Sequence, residues 1–76
     1  MMEKIKVNPP FIKLEQFLKF ASIAETGGMA KQMILDGIVH VNGEPCTMRG
    51  KKLYHGDRVS VFFEEGTEEL LCITEE

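Results

Sequence analysis

Cysteine, histidine and serine are all scarce in this 76-residue chain, and their scarcity excludes several kinds of chemistry. Cys46 and Cys72 lie far apart, neither belongs to a Cys-x-x-Cys pair, and only His40 and His55 could join them as ligands. No zinc-type ligand set can be assembled from that. The two thiols read as small apolar groups in or near a core, since a disulfide would suit a secreted chain better. Ser22 and Ser60 are the only serines, and neither sits in a nucleophile elbow. His40 falls on an alternating stretch, as a surface or half-buried strand residue, and His55 adjoins a turn that Asp57 stabilises. The acid pairs Glu64-Glu65 and Glu68-Glu69 belong to an exposed hairpin rather than a cleft. So short a chain is also thin for enclosing an active site. An enzyme is not expected, and neither is a small-molecule cofactor or a metal.

Long apolar runs are missing too. None approaches the ~18 residues that cross a bilayer, and the Met-Met-Glu-Lys start has no signal-peptide core. A cytoplasmic protein without a membrane role is the expectation. There is no low-complexity segment and no internal repeat. What remains is a globular composition, 43% hydrophobic and 28% charged, in one domain near the lower size at which an apolar core suffices. We expect one monomeric domain over residues 1–76.

The net charge of −3 is unevenly spread. Residues 64–76 hold six acids and no base, so residues 1–63 carry all nine Lys and Arg against six acids. Charge effects fade beyond about 8 Å at physiological salt, so a local basic face can act despite an acidic tail. The modest local excess fits selective rather than indiscriminate binding of polyanions.

Periodicity supplies the elements. Glu3 to Val7 alternates as a short strand, which Asn8-Pro9-Pro10 ends. Leu14, Phe17, Leu18 and Ala21 fall on one stripe of a first helix, which Phe20 and Ile23 widen. Thr26 is placed to cap a second helix by accepting from the amide of Gly28 or Met29. Ala30, Met33 and Ile34 form that helix's buried stripe, and Gly37 closes it. A strand through Ile38 to Val41 leads to Asn42-Gly43, a strong hairpin signal, because both residues tolerate positive φ. The return past Pro45 should be short or at an edge. Arg49 to Lys52 is a loop, Leu53 re-enters the core, and His55-Gly56-Asp57 turns the chain. Val59, Val61 and Phe63 share one face of the next strand. Glu64 to Thr67 form a turn before a last strand from Leu70 to Thr74. The fold class is α+β, two helices packed on one side of a small, mainly antiparallel sheet of four to five short strands.

Two places could carry function. The opening of the second helix has unpaired amides and a partial positive charge, which favour anions. Gly27 and Gly28 leave that backbone bare, and Lys31 lies one turn in; equally, the glycines could serve a tight interhelix turn. The second place is Arg49-Gly50-Lys51-Lys52-Leu53-Tyr54. Arginine suits bidentate phosphate contacts, lysine acts as a point charge, and Tyr54 could stack on an unpaired base. A plain solvated loop, with Tyr54 at the rim of the core, is the alternative. We expect the flanking hairpin and strand to hold this loop near the second helix.

Four segments in order carry a resemblance: Ile-Lys-Leu-Glu-Gln-Phe-Leu-Lys-Phe-Ala, Thr-Gly-Gly-Met-Ala-Lys, Ile-Val-His-Val-Asn-Gly, and Arg-Gly-Lys-Lys-Leu-Tyr-His-Gly-Asp-Arg-Val. Over residues 11–61 the chain resembles the S-four RNA-binding domain family, above all its free-standing YaaA/YbcJ-type members. The resemblance implies an RNA-docking face made by both helices and the hairpin. By position it suggests Lys13, Lys31, Gln32, Asn42, Arg49, Lys51, Lys52 and Tyr54 as contacts, with Gly27 and Gly28 shaping the helix opening. It implies a non-catalytic protein bound to structured RNA, specifically rRNA or a ribosomal particle during large-subunit maturation. A protein-interaction module using the acidic hairpin and the edge of the last strand is the competing expectation.

Overall fold

The computed structural model describes residues 2–74. In chain order the elements are β1 (Met2–Val7), β2 (Ile12–Lys13), α1 (Leu14–Phe20), α2 (Gly27–Leu35), β3 (Val39–Val41), β4 (Glu44–Pro45), β5 (Lys52–Leu53), β6 (Arg58–Phe63) and β7 (Gly66–Thr74). Five strands form one sheet in the order β1-β7-β6-β3-β4, and β2 and β5 form a separate two-residue pair. Every pairing is antiparallel except β1 with β7, which run parallel from Met2↔Glu69 to Val7↔Thr74. The expected α+β class therefore holds, with the two ends of the described chain side by side.

The core follows the periodicities. Leu14, Phe17 and Leu18 of α1 are fully buried, as are Ala30 and Ile34 of α2, with Met33 nearly so. They join Val39, Val41, Val59, Val61, Leu70 and Cys72 from one face of the sheet in a single apolar cluster. Strand alternation sends the intervening residues outward, so Arg58 and Phe62 are exposed and Ser60 half-buried. His40 is half-buried, with its ring edge-on to Phe62 at 4.5 Å between centroids. Both cysteines are free, Cys72 buried and Cys46 partly so. Asn42 (φ 52) and Gly43 (φ 87) make the expected left-handed turn between β3 and β4, and β4 is an edge strand.

Helix ends show what the apolar stripes could not. Thr26 caps α2 as expected, its Oγ1 accepting from the Met29 amide at 3.0 Å, and Gly37 (φ +79) closes it. At α1 the N-cap residue is Lys13, which offers no side-chain acceptor. Backbone carbonyls of the 49–51 segment serve instead: Leu14 N–H donates to Lys51 at 2.8 Å and Glu15 N–H to Arg49 at 3.1 Å. At its other end α1 stops at Phe20, and Ser22 takes a left-handed φ of 62. That reversal lets the amides of Ile23 and Ala24 both donate to the Leu18 carbonyl, at 2.9 and 3.1 Å.

Three expectations are corrected. Phe20 does not widen the buried stripe; it is 62% exposed, because the helix ends on that residue and its side chain lies off the core face. The turn after β6 is only Glu64-Glu65, and β7 begins at Gly66 rather than Leu70. Thr67, Glu68 and Glu69 are polar but extended, since they pair with Phe62, Val61 and Ser60. Finally, the last strand is not an edge. It lies between β1 and β6, and beyond β6 the amide of Cys72 donates to the Asp57 carbonyl at 2.9 Å. Ladder bonds on both sides remove the template that the interaction-module reading required.

Candidate nucleic-acid interface

Because α1 lacks a side-chain cap, its bare amides draw the basic loop to its amino end. The β2–β5 pair completes the attachment, with Ile12 opposite Leu53 and Lys13 opposite Lys52. Two exposed lysines thus stand directly across a two-residue ladder, beside Arg49 and Lys51. Like charges in directly opposed positions cost stability, by roughly 0.2–1 kcal/mol. A fold gains nothing from that arrangement by itself. It does offer four cations to an anion laid across it.

The next turn of chain fixes Tyr54. Its backbone N–H donates to Asp57 Oδ2 at 2.7 Å, and Asn42 Nδ2 donates to Asp57 Oδ1 at 3.1 Å. Asn42 Oδ1 in turn accepts from the Arg58 amide at 2.9 Å. Asp57 therefore stabilises its own turn, as expected, and also ties the tip of the β3–β4 hairpin to it. Tyr54 is 49% exposed, and its ring meets Phe11 at 5.9 Å between centroids, tilted by 50°. The Lys52 ammonium sits over the same Phe11 ring, 4.8 Å from its centroid. Such a contact orients the lysine at little cost to its charge.

Between the β3–β4 hairpin and the Lys51–Tyr54 segment lies an open groove of about 530 Å³, lined among others by Asn42, Glu44, Met48, Lys51, Lys52 and Tyr54. Its cations and half-exposed aromatic suit a sugar-phosphate chain with accessible bases. A search against protein families matches the S4 domain over residues 5–68. The chain belongs to the S4 domain family. The matched span extends past residues 11–61 on both sides and takes in the second half of β1, the whole of β6 and the start of β7. The chain is also 44% identical over 61 residues to "Probable ribosome maturation protein RlbA" of Bacillus subtilis (strain 168), covering 80% of this chain and 86% of that protein.

Within this S4 domain the anticipated residues other than Asn42 fall into two groups. Lys13, Arg49, Lys51, Lys52 and Tyr54 come together around the amino end of α1. Gly27, Gly28, Lys31 and Gln32 lie on α2, which packs on α1. The loop was expected beside α2; its Arg49 and Lys51 carbonyls instead accept from α1, the helix that needed a cap. Among the described residues no hydrogen bond or ring contact ties the opening of α2 to the loop. Gln32 is engaged with its own helix, its Nε2 donating to Asp36 Oδ1 at 2.8 Å. Asn42 has both ends of its amide committed inside the protein.

The glycines at the start of α2 have no conformational reason to be glycine. Neither has a positive φ; an added Cβ would meet nothing within 4 Å at Gly27, and only Thr26 Oγ1 at 3.8 Å at Gly28. Glycine inside a helix costs about 0.5–1 kcal/mol relative to alanine. Neither sterics nor φ requires glycine there, and the helix opening carries a bare backbone. Sequence reasoning missed Phe11 altogether, since it lies between two prolines and a two-residue strand with no periodicity around it. It also gave Asp57 a local role only, where the side chain reaches fifteen residues back to Asn42.

Proposed function

We propose that this S4 domain is a non-catalytic RNA-binding protein that docks structured rRNA on the basic surface at the amino end of α1. The observation that carries the reading is the Lys13–Lys52 opposition, held beside Arg49 and Lys51 by two backbone bonds to α1. A phosphate backbone relieves the repulsion that the fold alone leaves in place. Similarity to a probable ribosome maturation protein supports a ribosomal particle as the partner; assembly of the large subunit, in the cytoplasm, is the setting we propose. Lys31 and the open backbone at Gly27 and Gly28 form a second contact on the same RNA, with Gln32 at its margin. Asn42 acts by shaping the hairpin more than by touching RNA. Phosphates and shape dominate recognition, and the protein works as a monomer without a cofactor.

The test is binding of rRNA fragments across a salt series. The four cations at α1 predict a slope of log affinity against log salt of about −3 to −4, to which Lys31 adds up to about one unit. Single changes to alanine at Lys13, Lys51 and Lys52 should each flatten it by about one unit. A triple Lys13, Lys51 and Lys52 alanine variant that binds like the parent removes the surface from consideration.

A further inference from the structure

We propose that the 530 Å³ groove between the β3–β4 hairpin and the Lys51–Tyr54 segment takes one unpaired guanine nucleotide of the bound RNA. This rests on the RNA-binding reading above and deepens it, since it names what the groove receives. The volume lies within the roughly 300–1,000 Å³ of ligand sites. Phe11 meets the Tyr54 ring without itself lining the groove. The backbone of Tyr54 is pinned by Asp57 Oδ2 and its ring meets Phe11, so the side chain forms a wall of the groove. Stacking on such a wall accepts any base, because every base has a π-face.

Charge sets the orientation. Lys51 and Lys52 line one part of the groove, and Glu44, on the hairpin, another. A carboxylate repels phosphate, so the phosphate goes to the lysines and the base edge to Glu44. Both Asp57 oxygens already accept from the protein, which leaves Glu44 as the exposed carboxylate. An ionised carboxylate only accepts hydrogen bonds, and can accept two side by side. Guanine presents two adjacent donors, N1–H and N2–H, on its Watson–Crick edge. Uracil presents one N–H flanked by two carbonyl oxygens, which the carboxylate repels. A paired base hides that edge in the duplex, so the groove selects an unpaired one.

The experiment compares three hairpin RNAs differing at one position: fully paired, with one bulged guanine, and with one bulged uracil. Affinities are measured for the parent, Tyr54→Ala, Tyr54→Phe and Glu44→Ala, with circular dichroism melts confirming that each variant folds. The parent should bind bulged guanine about tenfold tighter than the paired RNA, in keeping with one stacked base, and tighter than bulged uracil. Tyr54→Ala should abolish that preference, so that this variant binds bulged-guanine and paired RNA equally, and Tyr54→Phe should retain it. Glu44→Ala should close the gap between guanine and uracil. Equal parent affinity for all three RNAs, or a guanine preference intact in Tyr54→Ala or Glu44→Ala, overturns the groove assignment and leaves RNA binding standing. Failure of the parent to bind any of the three overturns both readings.

Discussion

Lys13→Gln should make this protein more stable and a poorer RNA binder at once. Directly opposed residues on an antiparallel pair place their Cβ atoms about 4.5–5.5 Å apart. Two unit charges at 4 Å interact by about 1 kcal/mol even in bulk water. Flexible lysine stems splay, so we expect about 0.5 kcal/mol of relief when one charge is removed. Glutamine keeps much of the stem, and, like lysine, it is not a favoured helix cap, so the backbone capping of α1 by Lys51 and Arg49 is undisturbed. Lys52 is the less clean choice, because its ammonium also rests on Phe11. Urea unfolding at low salt should show the gain, equivalent to about 2–4 °C in melting temperature for a domain of this size. The gain should shrink towards zero near 1 M salt, where the screening length falls to about 3 Å. The same variant should lose about one unit of salt slope in rRNA binding. A variant that is no more stable at low salt, or whose gain ignores salt, refutes the idea that the two charges strain the fold.

Ser22→Gly should stabilise the fold by about 0.5–1 kcal/mol in denaturant titrations, since the left-handed φ of 62 favours glycine. Asp57→Ala should cost about 1–3 kcal/mol, because the Tyr54 amide and the Asn42 amide group both lose their acceptor; loss of stability without a shift in the NMR resonances of Tyr54 and Asn42 would contradict this. Burial, and secondarily the charge of Asp57, pushes the Cys72 thiol up from its ordinary value of 9.0. Its folded-state pKa then lies above the unfolded one, so its contribution is full below about pH 9 and falls as pH rises beyond it. Unfolding of the parent against Cys72→Ala across that window should show the decline in the parent alone.

Much of the fold was legible because it rests on repeats of apolar residues. Leu14, Phe17 and Leu18, then Ala30, Met33 and Ile34, declare their helices, and Val59 and Val61 declare a strand. The Asn42-Gly43 turn and the Thr26 cap are written in single residue types with one dominant use. What escaped has no local signature. A two-residue ladder such as Ile12–Lys13 with Lys52–Leu53 shows no period, and the capping of α1 by carbonyls thirty-odd residues away leaves no mark on side-chain identity. The start of β7 was hidden because Thr67, Glu68 and Glu69 read as loop by composition while the backbone ladder holds them extended. The candidate site was legible as a set of cations and glycines. Its division between the amino end of α1 and that of α2 depended on the unseen ladder.

The basic surface at the amino end of α1 is tested most directly by following backbone amide resonances while a ribosomal RNA hairpin is titrated into the isotope-labelled protein. Saturable shifts concentrated at residues 11–15 and 47–54, with a second set at residues 27–32, are the predicted result. Shifts centred on residues 64–71, or no saturable change anywhere, would contradict it.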